Sequence, residues 1–204
     1  EIEVRPGAYF ESIEAVSLYQ FSGDITTFGG HGDANNGGAG GSIVVKNQGA
    51  LGSFTRFLGY GSVILDGGDG GEGGGNAGSI DYRPSMFLTT GGLGLFLHTD
   101  VSAVGGTGGD LPGGNGGSIM FDPDVDTIRR DSAAIENVVV TGAIDLSGGD
   151  GVSGGQGGSI RAIDGCSPHP VATGIRIDGT VTQDGGDGSN APGGPSGGLF
   201  VASG

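Results

Sequence analysis

The sequence predicts an all-β fold, a single-stranded parallel β-solenoid (β-helix) of about five coils with stacked glycine-rich, polyglycine-II-like arms. Three features predict it. A phrase close to Gly-Gly-Ser-Ile recurs, closing at Ile43, Ile80, Ile119 and Ile160 and, in weaker form, at Leu199, so the repeat is 37 to 41 residues long. Each phrase ends an arm of 11 to 13 residues that opens on a glycine pair, and the five arms hold 36 of the 51 glycines. Hydrophobic residues stand at fixed distances on either side of every arm.

Residues 1–16, EIEVRPGAYFESIEAV, lie outside the repeats and alternate apolar with polar residues. They are expected to form an N-terminal strand or cap, which could also serve as a donor strand for another copy. Residues 17–204 are expected to form the five-repeat solenoid, with repeats at 17–47, 55–84, 94–123, 137–164 and 173–203.

Within a repeat, the elements follow from alignment on the glycine pairs. Ten and eight residues before the pair stand Tyr19 and Phe21, Phe57 and Gly59, Leu95 and Leu97, Val138 and Val140, Ile175 and Ile177. A spacing of two puts both on one face of a first strand. Gly23, Gly61, Thr99, Gly142 and Gly179 follow, where a corner is expected. A second strand holds Ile25, Val63, Val101, Ile144 and Val181, all β-branched, as a pleated inward position prefers. After the arm, the closing Ile or Leu is followed two positions later by Val45, Tyr82, Phe121, Ala162 and Val201, which marks a third strand. The connectors vary, and DTIRRDSAAIEN at 126–137 is the best candidate for a short helix.

The arms need an explanation of their own, because ordering glycine costs more backbone entropy than ordering any other residue. Triplet phrasing such as GGD-GGE-GGG-NAG suits an extended trace with three residues per turn. Backbone hydrogen bonding between arms stacked on each other, or on arms of another copy, is the interaction expected to hold them.

Composition excludes several classes. Collagen needs glycine at every third position and abundant proline, whereas this chain clusters its glycines and has 8 prolines. Eight Lys and Arg against 23 Asp and Glu leave a net charge of −15, which argues against nucleic acid as a partner. No apolar run reaches the length of a membrane span. Cys166 is alone, so no internal disulfide is expected, and its role is left open. The chain opens on Glu1, which fits a processed mature protein.

The runs TGAIDLSGGDGVSGGQGGSIRAID and IDGTVTQDGGDGSNAPGGPSGGLFVAS lead a Gly-x-Ile/Val strand into Gly-Gly-Ser-Ile. In this the chain resembles the right-handed parallel β-helices of filamentous-haemagglutinin-type secreted adhesins over most of residues 17–203. Its longer, glycine-richer arms are similar to the polyglycine-II phage tail-fibre adhesins and the springtail antifreeze proteins. The resemblance implies an extracellular or cell-surface, non-catalytic scaffold.

Candidate chemistry is sparse. Stacked arms would bring Asp150 and Asp187 to adjacent coils, with Thr107 between them and Asp69, so these three aspartates are the calcium candidates. The arms lack the aliphatic position of calcium-binding nonapeptide repeats. His31, His98 and His169 sit in unlike contexts, and no nucleophile motif accompanies them, so no catalytic residue, enzyme activity or cofactor is expected. The expected role is the structural subunit of an extracellular filament or surface assembly built by end-to-end packing into a homo-oligomer. The alternatives are an adhesin or receptor-binding tip with a cell-surface or glycan ligand, and an ice-binding protein.

Overall fold

Short stretches with apolar residues two apart, punctuated by glycine, can bury one face only by lying against like stretches of the next repeat. The computed structural model, which describes residues 10–12, 17–47, 55–84, 94–121, 136–163 and 173–202, shows that solution. The strands are β1 (Phe10–Ser12), β2 (Ser17–Phe21), β3 (Ile25–Thr26), β4 (Ile43–Asn47), β5 (Thr55–Gly59), β6 (Val63–Ile64), β7 (Ser79–Pro84) and β8 (Gly94–Leu97). They continue as β9 (Val101–Ser102), β10 (Ser118–Phe121), β11 (Glu136–Val140), β12 (Ile144–Asp145), β13 (Ser159–Ile163), β14 (Thr173–Ile177), β15 (Val181–Thr182) and β16 (Gly198–Ala202). Among the described residues there is no helix.

Three parallel sheets stack along the coil axis, in the orders β1-β4-β7-β10-β13-β16, β2-β5-β8-β11-β14 and β3-β6-β9-β12-β15. Every repeat gives one strand to each sheet, so the chain is a parallel β-solenoid of five three-strand coils. The sixth strand of the longest sheet, β1, belongs to the segment expected as a cap. Its register pairs Phe10 with Val45, so Phe10 heads the column that runs on through Tyr82, Phe121, Ala162 and Val201.

The sequence columns are the structural ones. Ile25, Val63, Val101 and Ile144 stack in register, as do Ile43, Ile80, Ile119 and Ile160, and all eight are 0–3% exposed. Tyr82 and Phe121 are buried and stack with ring centroids 5.4 Å apart. A further inward column is not evident from the sequence: Thr27, Leu65, Ala103 and Leu146 are buried just before the arms. Its end members are polar, Thr27 in the first coil and Gln183 in the last, which hides the periodicity.

The corner glycines have a different basis from the one expected. None of Gly23, Gly61, Gly142 and Gly179 adopts a left-handed φ. A Cβ at Gly61 would instead overlap the Gly23 carbonyl of the preceding coil, and one at Gly142 would overlap that of Thr99. Of the helix expected at 126–137, only Glu136 and Asn137 are described, and they open β11 as strand. Residues 126–135 and Cys166 lie outside the described residues.

Leu146 is fully buried in the fourth coil. Leu146→Ala removes core contacts flanked by both neighbouring coils and is expected to cost about 2–5 kcal/mol in denaturant unfolding.

Candidate functional site

The arms form a backbone lattice. Each runs outward from its second strand and returns to its third, so it has an outbound and a return limb. Amides three residues apart on the outbound limb donate to carbonyls of the next coil. Gly29 and Gly32 bond Asp66 and Asp69, Gly67 and Gly70 bond Val104 and Thr107, and Gly105 and Gly108 bond Ser147 and Asp150, all at 2.7–3.0 Å. The return limb repeats the period, with Gly37 and Gly40 donating to Gly73 and Asn76, and Gly74 and Ala77 to Pro112 and Asn115.

A second set of bonds ties the limbs together. Gly38 donates to Gly30, Gly75 to Gly68, Gly114 to Gly106, Gly155 to Gly149 and Gly194 to Gly186, within one arm. Gly68 donates to Gly38, Gly106 to Gly75, Gly149 to Gly114 and Gly186 to Gly155, between arms. Amides three residues apart on a limb thus donate along the stack, while the amides between them donate across to the other limb.

Side chains would prevent this packing. A Cβ at Gly68 would overlap the Gly30 carbonyl, one at Gly106 the Gly68 carbonyl, and one at Gly149 the Gly106 carbonyl. Gly30 heads that column, and a Cβ there meets nothing within 4 Å. Where a residue points outward the arms tolerate Asp, Asn, His and Thr.

Those outward carboxylates and amides cap the following coil. Asp69 Oδ1 accepts from the Thr107 amide at 2.7 Å, and Asp150 Oδ1 from the Asp187 amide at 2.7 Å. Asn76 and Asn115 do the same for Asn115 and Gln156, both at 2.9 Å. Of the three calcium candidates, Asp150 and Asp187 are thus brought to adjacent coils, and Asp69 is held apart from them. Among the described residues no group of three or more His, Cys, Asp or Glu is placed to share a metal ion.

At the second-strand corner Asp24 Oδ1 accepts from the Ser62 hydroxyl at 2.7 Å and the Ser62 amide at 2.8 Å. Those bonds, the hydroxyl first, hold the Asp24 carboxyl below the ordinary aspartate range.

Two surfaces stand apart from this internally bonded body. One is the coil face of β14, β15 and β16, the end strands of all three sheets. Here the inward columns emerge uncovered: Val181 is 41% exposed, Leu199 55% and Val201 60%. The other is a groove of about 580 Å³ across coils three to five, where the return limbs enter β10, β13 and β16. Its lining includes Asn115, Gln156, Ser118, Ser159, Arg161 and Phe200 over a floor of glycine backbone. The groove does not stand out in the sequence, although Arg161 and Phe200 occupy one outward column, after Val44, Asp81 and Met120.

No family model, curated protein or solved structure matches the chain.

The lattice makes a contrast between two glycines of one column. Gly106→Ala is expected to destabilise the fold by at least about 1–3 kcal/mol through overlap with the neighbouring arm. Gly30→Ala should be neutral or stabilising by up to about 1 kcal/mol, because it restricts the unfolded chain without a clash. Thermal melts of the two variants check this. A second test concerns Asp24. Its depressed folded pKa means that its contribution is present above the ordinary aspartate pKa and is lost as pH falls through the lower folded value. In an NMR carboxylate titration, Ser62→Ala should move the Asp24 midpoint back upward.

Proposed function

We propose that the chain is a structural subunit of an extracellular filament or surface assembly that grows by end-on packing of solenoid bodies into a homo-oligomer. The observation that carries this reading is the uncovered β14–β16 face. Val181, Leu199 and Val201 stand in columns whose inner members are 0–3% exposed, on the strands that end all three sheets. Such edges are templates for another strand layer, and a second copy supplies layers of the same repeat and strand order. A contact of this head-to-tail kind is heterologous and propagates when its rotation does not close.

Kinship with filamentous-haemagglutinin-type adhesins, and of the arms with polyglycine-II tail-fibre and antifreeze proteins, forms part of the proposal. Its support is the parallel ladder together with the arm bonding along the stack and across the limbs. An extracellular site fits the same reading. The adhesin or receptor-binding alternative draws on the outer groove, whereas ice binding has only the regular arm spacing behind it and would be detected as thermal hysteresis.

Net charge of −15 opposes contact between copies, so assembly should strengthen as salt screens it. Negative-stain microscopy and light scattering of the purified chain are expected to show particles that lengthen with concentration and ionic strength. Replacing Leu199 and Val201 together by Asp should abolish that growth and leave the circular dichroism spectrum unchanged. A chain that stays monomeric at high concentration and salt, or a double variant that assembles equally well, overturns the reading.

A further inference from the structure

We propose that the outer groove of coils three to five is a binding site for a carboxylate-bearing sugar chain, a uronate-containing polysaccharide. The inference is independent of how the coil face is covered, because the groove lies on the outward side of the strands.

Its described lining lacks the acidic side chains that dominate the chain. None of the described residues lining it is acidic, in a chain with 23 Asp and Glu, and they include Arg161. That guanidinium has no ion-pair or hydrogen-bond partner among the described residues, whereas exposed Arg176 is held by Asp178 at 2.8 Å. A free guanidinium is a planar fork of donors that matches a carboxylate with two parallel bonds.

The remaining groups suit a polyol. Elsewhere the outward hydroxyls are used between coils, as in Ser79 to Ser42 at 3.0 Å and Ser102 to Asp66 at 2.7 Å. In the groove the Ser118 and Ser159 hydroxyls and the Gln156 side-chain amide have no side-chain partner among the described residues. Asn115 spends its side-chain carbonyl oxygen on the Gln156 backbone amide and keeps its NH₂ to donate. Phe200, 59% exposed, pairs in register with Arg161 and lines the same groove. An aromatic face covers the apolar side of a sugar ring, and a glycine floor lets the ring approach the backbone. The unspent donors recur from coil to coil along the groove, which favours a chain of sugar units over a single small acid.

Long-range attraction cannot produce the binding, because a polyanion is repelled by the protein as a whole. Recognition must therefore come from the groove itself. Calorimetric titration of the full chain with a galacturonate tetramer and with its methyl ester tests the proposal. The acid form is expected to bind at least about tenfold more tightly than the ester, a difference that Arg161→Gln removes. Phe200→Ala should weaken both forms, and Arg176→Gln, outside the groove, should weaken neither. Thermal melts confirm that each variant is folded. Equal affinity for acid and ester, no binding of the acid at millimolar concentration, or an unchanged acid affinity in Arg161→Gln would each overturn the assignment.

Discussion

The structure depends on one constraint: backbones of neighbouring arms approach more closely than a β-carbon would allow. Overlap of a Cβ with the adjacent carbonyl recurs along the limbs, at Gly68, Gly106, Gly149 and Gly186 in one column alone. What glycine provides here is the absence of a side chain. None of these arm or corner glycines adopts a left-handed φ, so the flexibility usually credited to glycine is not in use. The entropic cost of ordering it is offset by amides that bond along the stack, within an arm and between arms.

The polar side chains follow from the same geometry. Asp24, Asp66, Asp69, Asp100, Asn115 and Asp150 each accept from a backbone amide in the following coil. Five of the 23 acidic residues are thus tied to backbone amides of the following coil. Propagation along the axis has a consequence for the ends, since every bond of this kind requires a next coil. The exposed Leu199 and Val201 show the apolar side of that requirement at the last described coil.

Much of the fold is legible in the chain because the coil is a translation. When each residue stacks on its counterpart one repeat away, sequence columns become structural columns, and Ile43, Ile80, Ile119 and Ile160 align by their spacing alone. What stays hidden has specific causes. The column of Leu65, Ala103 and Leu146 is obscured by Thr27, whose hydroxyl accepts from the Gly41 amide, and by Gln183, whose amide donates to Gly158 and Gly198. Phe10 falls outside the repeats because residues 1–16 show neither a glycine arm nor a glycine corner to align. The groove is invisible because its residues come from short stretches about forty residues apart, each unremarkable alone.

The sequence by itself determined the repeat length, the three strands per coil, the inward columns and the stacking of glycine arms, because these depend only on local spacing and on translation of one unit. The tertiary structure alone decided why the glycines are required, where the carboxylates spend their oxygens, and which surfaces stay unsatisfied. Those are properties of distances between coils. Removal of a Cβ reads in sequence as conformational freedom, and only the position of the neighbouring carbonyl shows it to be room for a hydrogen bond.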